Sequence, residues 1–375
     1  MLKTGEFSAN GGSTLQELQQ KINEAKGSTH YLDLSRELKD QIELLVESNK
    51  ILLKNNHTFS LNPHEITRMM DLEISNMFKY LEYRYKFKTY PNKKILTEFP
   101  LHLLIEPISY CNLKCVMCFQ VDEKFSKDKK YIGKMDIDLF KKCVDEAREN
   151  SCRALTLASR GEPTLHPELS KMIEYCKPIK NHQFFDLKLN TNATRLNENL
   201  IHSFFESEVT SLVFSVDSDN KTQYERIRVG GKFEKVLKNI KMVKDIRDKH
   251  YPNSHLQTRV SGVLVENQSH EVISNFWSDY VDEVTLIRNL PRWDSYNNDI
   301  LNLDKPCDVL WERMYVWYDG VCNPCDFDYL SKLQTGNVER QSISEIWKSE
   351  AYTALREKHT NEGRSNLNPC DRCPL

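Results

Sequence analysis

Leu101-His102-Leu103-Leu104-Ile105-Glu106-Pro107-Ile108-Ser109-Tyr110-Cys111-Asn112-Leu113-Lys114-Cys115-Val116-Met117-Cys118 is the stretch on which the reading of this chain turns. Its first five residues are an apolar strand candidate, and the loop after it carries three cysteines in a C-x3-C-x2-C spacing. Three thiolates can hold three irons of a [4Fe–4S] cube, because thiolate is the usual ligand of such clusters. The fourth iron is then left without a protein ligand. An open iron can bind a substrate or cofactor, whereas a fully ligated cluster can only pass electrons. The same cysteines would also serve a zinc site, or be three unrelated buried thiols, so the rest of the chain has to decide.

Downstream of this loop, short apolar strand candidates recur at 154–158, 185–190, 211–216, 257–265 and 283–287. Helical stretches lie between them, near 136–149, 167–177, 196–207, 232–249 and 269–279. With 102–106 as the first strand, this alternation indicates a parallel sheet with right-handed crossovers. A partial (β/α)6 barrel fits the count, although the order alone does not exclude a doubly wound open sheet. In β/α barrels chemistry sits at the C-terminal ends of the strands, and the cysteine loop follows the first strand at that end.

Upstream, residues 1–12 are small and polar and read as disordered. Thr14-Leu15-Gln16-Glu17 has the form of a capping box, and residues 35–54 repeat apolar positions at helical spacing. Asn62-Pro63-His64-Glu65 reads as an N-cap, an N1 proline and an early acid that open a helix through about residue 86. Its stripe of Ile66, Met69, Met70, Met77, Phe78 and Leu81 is the ordinary signature of core packing. We therefore expect a helical region over 1–98, an α/β core over 99–300 and a small cysteine-rich α+β domain over 301–375.

Charged residues make up 28% of the 375, yet the formal net charge is only −2, which gives no argument for nucleic acid or an anionic membrane as partner. No apolar run approaches the ~20 residues of a membrane span, and the first twenty residues lack the apolar region of a signal peptide. A cytoplasmic location is expected. Of the 11 cysteines, those at 111–118 and 307–373 are grouped, and in a reducing compartment such groups more often bind metal than form disulfides. Cys143, Cys152 and Cys176 stand alone and read as buried thiols.

The cysteine spacing resembles the signature of the radical S-adenosylmethionine (radical SAM) enzymes, with Met117 where the family often has an aromatic residue. Ser159-Arg160-Gly161-Glu162-Pro163, after the second strand, is similar to that family's glycine-glycine-glutamate-proline loop, with Arg160 in place of the first glycine. The resemblance implies that Gly161 and Glu162 line the SAM ammonium group, where a carboxylate and a close backbone approach are needed. Asn190-Thr191-Asn192 resembles the family's Asn-Thr-Asn-Gly segment. Ser215 and Asp217 look like its ribose-contacting positions, and Arg259 is placed like the arginine that pairs the SAM carboxylate. Read as residues alone, Asn190, Ser215 and Asp217 are also common turn formers, and Arg259 could be a surface arginine.

Cys307, Cys325, Cys370 and Cys373 resemble the auxiliary-cluster domain that follows many radical SAM cores, more closely its shortened twitch form than the full SPASM form. Asp319-Gly320 would close a hairpin of 314–318 against 321–325 that presents Cys325 from its second strand, and a helix over roughly 342–358 follows. Cys322 could replace one of the four or be a spare thiol, and four cysteines alone would also suit zinc.

The resemblance implies three cofactors: S-adenosylmethionine, a SAM-binding [4Fe–4S] cluster at Cys111, Cys115 and Cys118, and an auxiliary [4Fe–4S] cluster. It implies reductive cleavage of SAM to a 5′-deoxyadenosyl radical that abstracts hydrogen from the substrate, with a reduced flavodoxin or ferredoxin as electron donor. Two substrate classes stay open: a small polar metabolite of sugar or cyclitol type, oxidised or epimerised, and a ribosomally made peptide. The helical reading of the first ~95 residues tilts toward the small molecule. A non-catalytic iron–sulfur or zinc-binding protein is the alternative of another class.

Overall fold

A computed structural model describes residues 20–47, 61, 63–70, 72–265, 268–289, 293–301 and 303–374. The chain divides into two compact units, Met1–Ile95 and Leu96–Leu375. The disordered reading of 1–12, the capping box at 14–17 and the helical pattern beyond residue 47 lie outside the described residues.

In the first unit, α1 spans Arg36–Glu47, α2 Pro63–Met70 and α3 Ile74–Thr89. The single helix expected over 62–86 is therefore two, with Glu73 in extended conformation between them. The break lets α2 fold back on α3. Glu65 of α2 pairs with both Arg84 and Lys88 of α3, and Met69, Met77, Phe78 and Leu81 are buried.

The second unit is built on a nine-stranded sheet of order β11-β10-β9-β1-β3-β4-β5-β7-β8. Its parallel run is β1 (His102–Ile105), β3 (Ala154–Leu157), β4 (Asp186–Thr191), β5 (Ser211–Ser215), β7 (Gln257–Leu264) and β8 (Glu283–Arg288). Each of these strands pairs with the next in sequence, without reversal. A doubly wound sheet reverses at a switch point. Sequential winding in one direction instead rolls the sheet into a partial barrel with β8 at its open edge. The crossover helices are α4 (Ile137–Glu149), α5 (Leu169–Tyr175), α6 (Glu198–Glu206), α8 (Phe233–His250) and α9 (His270–Ser278). Asp136, Asn197 and Ser269 start α4, α6 and α9 as side-chain N-caps, which satisfies N–H groups the helix itself leaves open.

Strand alternation decides what faces where. Leu103, Ile105, Leu155, Leu157, Leu187, Leu189, Leu212, Phe214 and Val260 turn outward into one core with the helices, joined by Cys143, Cys152 and Cys176. Their neighbours His102, Leu104, Thr156, Lys188, Asn190, Ser215 and Val263 line the inside. This is the period of two expected of a pleated sheet.

Two features go beyond the sequence expectation. A short helix α7 (Lys221–Ile227) leads into β6 (Arg228–Val229), which pairs antiparallel with β2 (Lys114–Cys115) of the cysteine loop. The C-terminal hairpin is also part of the main sheet: β9 (Arg313–Val316) runs parallel to β1, His102 opposite Arg313, and β10 (Val321–Asn323) and β11 (Gly336–Asn337) follow antiparallel. Gly320 takes φ 78° in the turn, a conformation that favours glycine. Cys325 lies beyond β10 rather than on it. The helix expected over 342–358 is two, α10 (Ile343–Trp347) and α11 (Glu350–Glu362), because Ser349 caps the second by accepting from Tyr352 N–H.

Candidate functional site

All the loops singled out by sequence leave the C-terminal ends of the strands. One cavity of about 380 Å3 gathers Cys111, Cys115 and Cys118 with Gly161, Glu162, Asn190, Asn192 and Ser215. The cysteine loop is tied at several points. Gln120, buried, donates to Ser109 O at 2.8 Å and to Arg160 O at 2.7 Å, joining the loops after β1 and β3. Asn192 Nδ2 reaches Cys111 Sγ at 3.6 Å and Asn112 Oδ1 at 3.0 Å. Burial pushes the Cys111 thiol up to about 12, with the Glu162 carboxylate adding to the shift, and burial raises Cys115 as well. A thiolate at these positions needs a cation to compensate it, which bound iron provides.

Gly161 is required by contact. A Cβ there would stand 2.2 Å from Ile108 O and 2.6 Å from Tyr110 O. The next residue closes the same contact, with Glu162 N donating to Tyr110 O at 3.0 Å. Glu162 Oε1 accepts from Thr164 N, Thr164 Oγ1 and Thr191 Oγ1, while among the described residues Oε2 accepts only from Asn192 N at 2.6 Å. A carboxylate offers about four acceptor sites, so Oε2 keeps room for a cationic donor. Burial raises the Glu162 carboxyl, opposed by these hydrogen bonds.

Arg160, which stands where the resembled loop has glycine, is a strut. It makes a bidentate pair with buried Glu106, Nε to Oε1 at 2.8 Å and NH2 to Oε2 at 2.6 Å, and donates to Tyr329 O at 3.1 Å. Its guanidinium lies 4.2 Å from the Trp317 ring centroid.

The remaining expected residues separate. Asn190 lines the cavity with its Oδ1 buried and unpartnered. Asp217 does not line it. It is fully buried, accepts from Val263 N at 2.8 Å, and holds the Arg228 guanidinium at both oxygens. Arg259 is not brought to the triad. It lies four residues before the cavity-lining Val263, about 13 Å along the strand, and 3.6 Å from Glu283.

Sequence reasoning missed Arg228. It lines the cavity, sits opposite Cys115 in the β2–β6 pair and reaches Cys115 Sγ at 3.7 Å. The one local signal was an arginine between an apolar helix end and Gly230-Gly231. Lys188, Arg313, Tyr315 and Asp326 were missed as cavity residues too. Tyr296 is buried, donates to Asp328 Oδ1 at 2.7 Å and accepts from Leu330 N, away from the cavity lining.

In the C-terminal region, burial raises the Cys325 and Cys370 thiols. Cys370, then Asp326 and Asp328, then Cys307 add to the shift of the former, and Cys307 and Cys373 to that of the latter, so the four thiols form one neighbourhood. Cys322 is elsewhere, fully buried in the main core beside Cys143. Among the described residues no three His, Cys, Asp or Glu side chains converge on a single metal-ion position. A cubane does not require that, since each iron takes its own thiolate and the sulfurs stand apart. The free thiols at the cavity, the open Glu162 oxygen and the orphaned Ser159 Oγ and Asn190 Oδ1 fit an iron–sulfur cluster with a polar cofactor beside it.

Among the described residues no helix is long and apolar enough to cross a membrane. Residues 105–261 match the radical SAM superfamily, and residues 307–374 match the SPASM iron–sulfur cluster-binding domain. The tungsten-containing aldehyde ferredoxin oxidoreductase cofactor-modifying protein of Pyrococcus furiosus is 27% identical over 305 residues, 68% of this chain and 83% of that protein. The crystal structure of SuiB from Streptococcus suis bound to precursor peptide SuiA is similar with a TM-score of 0.55 at 17% identity, covering 85% of this chain and 79% of SuiB. That of BtrN in complex with AdoMet and 2-DOIA gives 0.51 at 18% identity, over 73% and 92%. At such identities the two structures speak for the fold. The chain therefore belongs to the radical SAM superfamily, as an enzyme that uses S-adenosylmethionine and a [4Fe–4S] cluster and carries a SPASM/twitch-type iron–sulfur domain in its C-terminal region.

Proposed function

We propose that this enzyme abstracts a hydrogen atom from a small polar molecule held inside the barrel, in an oxidation or epimerisation of sugar or cyclitol type. The observation that supports this is the inner wall. His102, Thr156, Lys188, Asn190, Ser215 and Arg313 turn into the same cavity as the cysteine triad. Strands hold such groups more rigidly than loops do, and a few placed polar groups in an enclosed site are what orient a small ligand. The Pyrococcus furiosus relative, named for modifying a cofactor, is compatible with a target of this kind.

In this reading Cys111, Cys115 and Cys118 hold the SAM-binding cluster, with Gln120 and Asn192 fixing their loop. When bound, the cluster and SAM supply hydrogen abstraction from an unactivated C–H bond. Glu162 Oε2 receives the SAM ammonium group, against which Gly161 allows close approach. Arg228, rather than Arg259, provides the guanidinium for the SAM carboxylate, and Asp217 acts by holding Arg228 in place. Asn190 and Ser215 offer polar contacts to the ribose. Cys307, Cys325, Cys370 and Cys373 hold the auxiliary cluster. With four thiolates it has no open iron, so its part is to move electrons, and a reduced flavodoxin or ferredoxin serves as donor to the enzyme.

The test is anaerobic deuterium transfer. Reduced enzyme receives SAM and size-separated extract from cells grown in heavy medium, and mass spectrometry identifies the fraction that yields deuterated 5′-deoxyadenosine. Label from the small-molecule fraction is expected. Label from the peptide fraction alone would replace this reading with that of a peptide maturase. Cys115→Ala should abolish 5′-deoxyadenosine formation, and persistent turnover in that variant would refute the cluster assignment.

A further inference from the structure

We infer that the floor of the cavity is a receptor for an anionic group of the substrate, a carboxylate or phosphate, anchored by Lys188. The inference rests on the small-molecule reading and narrows it to one chemical class.

Three guanidiniums line the cavity, and each has its own carboxylate: Arg160 with Glu106, Arg228 with Asp217, Arg313 with Glu312. Lys188 also lines it and, among the described residues, makes no hydrogen bond or ion pair. It sits on β4 with its side chain directed inside, between its strand neighbours Leu187 and Leu189 that are buried in the core. Of the charges that act on it, Arg259 and Arg313 repel an ammonium and Asp186 on its own strand attracts it. Of the four cationic side chains among the described lining residues, Lys188 is the one without its own carboxylate, and the carboxylates that line the cavity are Glu162 and Asp326.

Lys188 is partly buried, and its ammonium faces the cavity without a carboxylate of its own, so it is open to an anion that enters. Here the missing partner is not solitary. Asn190, two residues along β4 and so one pleat of about 6.6 Å nearer the triad, has a buried Oδ1 without a donor. Ser159 Oγ, at the rim of the same cavity, is likewise buried and unsatisfied. The unsatisfied groups form a track from the cofactor end to the floor. With the cofactor meeting Asn190 and Ser159 at the triad end, the Lys188 ammonium is left for the substrate, and an anionic group would meet it. Burial, together with the two guanidiniums, lowers the Lys188 amine to about 8. An anion beside it would hold the proton on the amine and make the hydrogen bond charge-assisted, which is the strong kind.

A neutral sugar leaves Lys188 as it is. A substrate bearing a carboxylate or phosphate removes the mismatch. Specificity against the neutral analogue follows, because a site built around a charge loses much when that charge goes unmet.

The test extends the deuterium-transfer assay. The small-molecule fraction is passed over an anion exchanger at neutral pH, and retained and unretained pools are offered separately to wild-type enzyme, Lys188→Met and Lys188→Arg. Phosphatase treatment of the active pool tells a phosphate from a carboxylate, and either result agrees with the inference. We expect label only from the retained pool, a fall of about ten- to hundredfold in Lys188→Met at limiting substrate, and partial recovery in Lys188→Arg. Iron content and melting temperature of each variant report whether it folded and loaded. Should Lys188→Met fail to fold, wild-type enzyme carries the test: acetylation of Lys188 by an N-hydroxysuccinimide ester, read by mass spectrometry, should be blocked by the retained pool. Label from the unretained pool, undiminished transfer in a well-folded Lys188→Met, or no protection from acetylation would overturn the anion receptor while leaving the small-molecule reading intact. Label from peptides alone would remove that reading first, and this inference with it.

Discussion

The Arg160–Glu106 pair is the point at which the cofactor loop, the first strand and the C-terminal region are fastened together. Both side chains are essentially without solvent exposure, 1% and 0%. Arg160 gives Glu106 two hydrogen bonds from its side chain and one from its own backbone N–H, while Tyr318 N–H supplies another. Replacing Arg160 by Met strands a buried carboxylate. Removing one member of such a pair costs about 3–5 kcal/mol, here with loss of the cation–π contact to Trp317. For a domain of this size about 2–4 °C of melting temperature goes with each kcal/mol, so Arg160→Met should lower the midpoint of the reconstituted holoenzyme by roughly 6–20 °C. Glu106→Gln should cost a similar amount, since it leaves the guanidinium unpaired and keeps only one good acceptor for the two backbone donors. The double variant should not cost the sum. The two defects share one origin, and the cycle should return a coupling of at least ~2 kcal/mol. Thermal melting of wild type, both single variants and the double variant under anaerobic conditions measures it. Additive losses, or a single-variant shift below about 2 °C, would refute the claim that this pair is dry and load-sharing among the three segments.

Three further outcomes follow from the same geometry. Cys325→Ala should lose the auxiliary cluster and with it roughly half of the iron, whereas Cys322→Ala should keep its iron and lose only about 1 kcal/mol of stability from a small core cavity; equal iron loss in the two would place Cys322 among the ligands. Arg228→Lys should weaken SAM binding about tenfold by equilibrium dialysis, since a lysine cannot reproduce the fork that Asp217 orients, and Arg259→Met should change it by less than twofold; the reverse order would return the carboxylate role to Arg259. Lys188, pushed down to about 8 by burial against an ordinary 10.5, stays protonated in the unfolded chain over the interval where the folded chain has released its proton. Stability should therefore rise with pH from about 8 to 10.5 and carry the full penalty below 8. Lys188→Met should then melt higher than wild type at pH 7, by up to about 3 kcal/mol, with the advantage fading toward pH 10.5; a constant or absent difference would mean that the amine is solvated.

What the sequence disclosed was local, and what it withheld depended on distant pairing. The triad, the Gly161-Glu162 loop and the six parallel strands each announce themselves within a few residues, by cysteine spacing, by a strand-to-helix turn or by a run of apolar residues. Arg228 does not, because its relation to Cys115 exists only through two two-residue strands that lie 113 positions apart. No periodicity marks so short a ladder. The position of Arg259 was hidden for a related reason. Its strand was legible, but its depth was not, and depth along a strand determines whether an inward residue meets the cofactor or the floor. The helix boundary at Ser349 was legible in principle, since Ser349-Glu350 begins with a capping residue, but an uninterrupted apolar pattern on either side masked it. The break before Glu73 has no glycine or proline to signal it, and Glu73 itself makes no side-chain cap.

The parallel pairing of β9 with β1 has the largest consequence. A barrel that stops at β1 would expose an unpaired strand edge beside the cysteine triad, and natural sheets cover such edges. Here the cover is taken from the cysteine-rich region, and it does more than close the sheet. Met314 and Val316 extend the outer core, and the alternation of the strand then turns Arg313 and Tyr315 into the cavity. Beyond the hairpin, Asp326 lines the same cavity while the adjacent Cys325 packs against Leu104, Tyr315 and Trp317. Trp317 in turn lies under Arg160, whose loop carries Glu162. Cys325 and the cavity wall are thus fixed by one piece of backbone, which leaves little freedom to move one without the other. In the proposed reading a substrate held against Tyr315 would lie on the same face of the strand as Cys325, and this shared wall is the physical reason to propose that the C-terminal cysteines serve the reaction rather than stability alone.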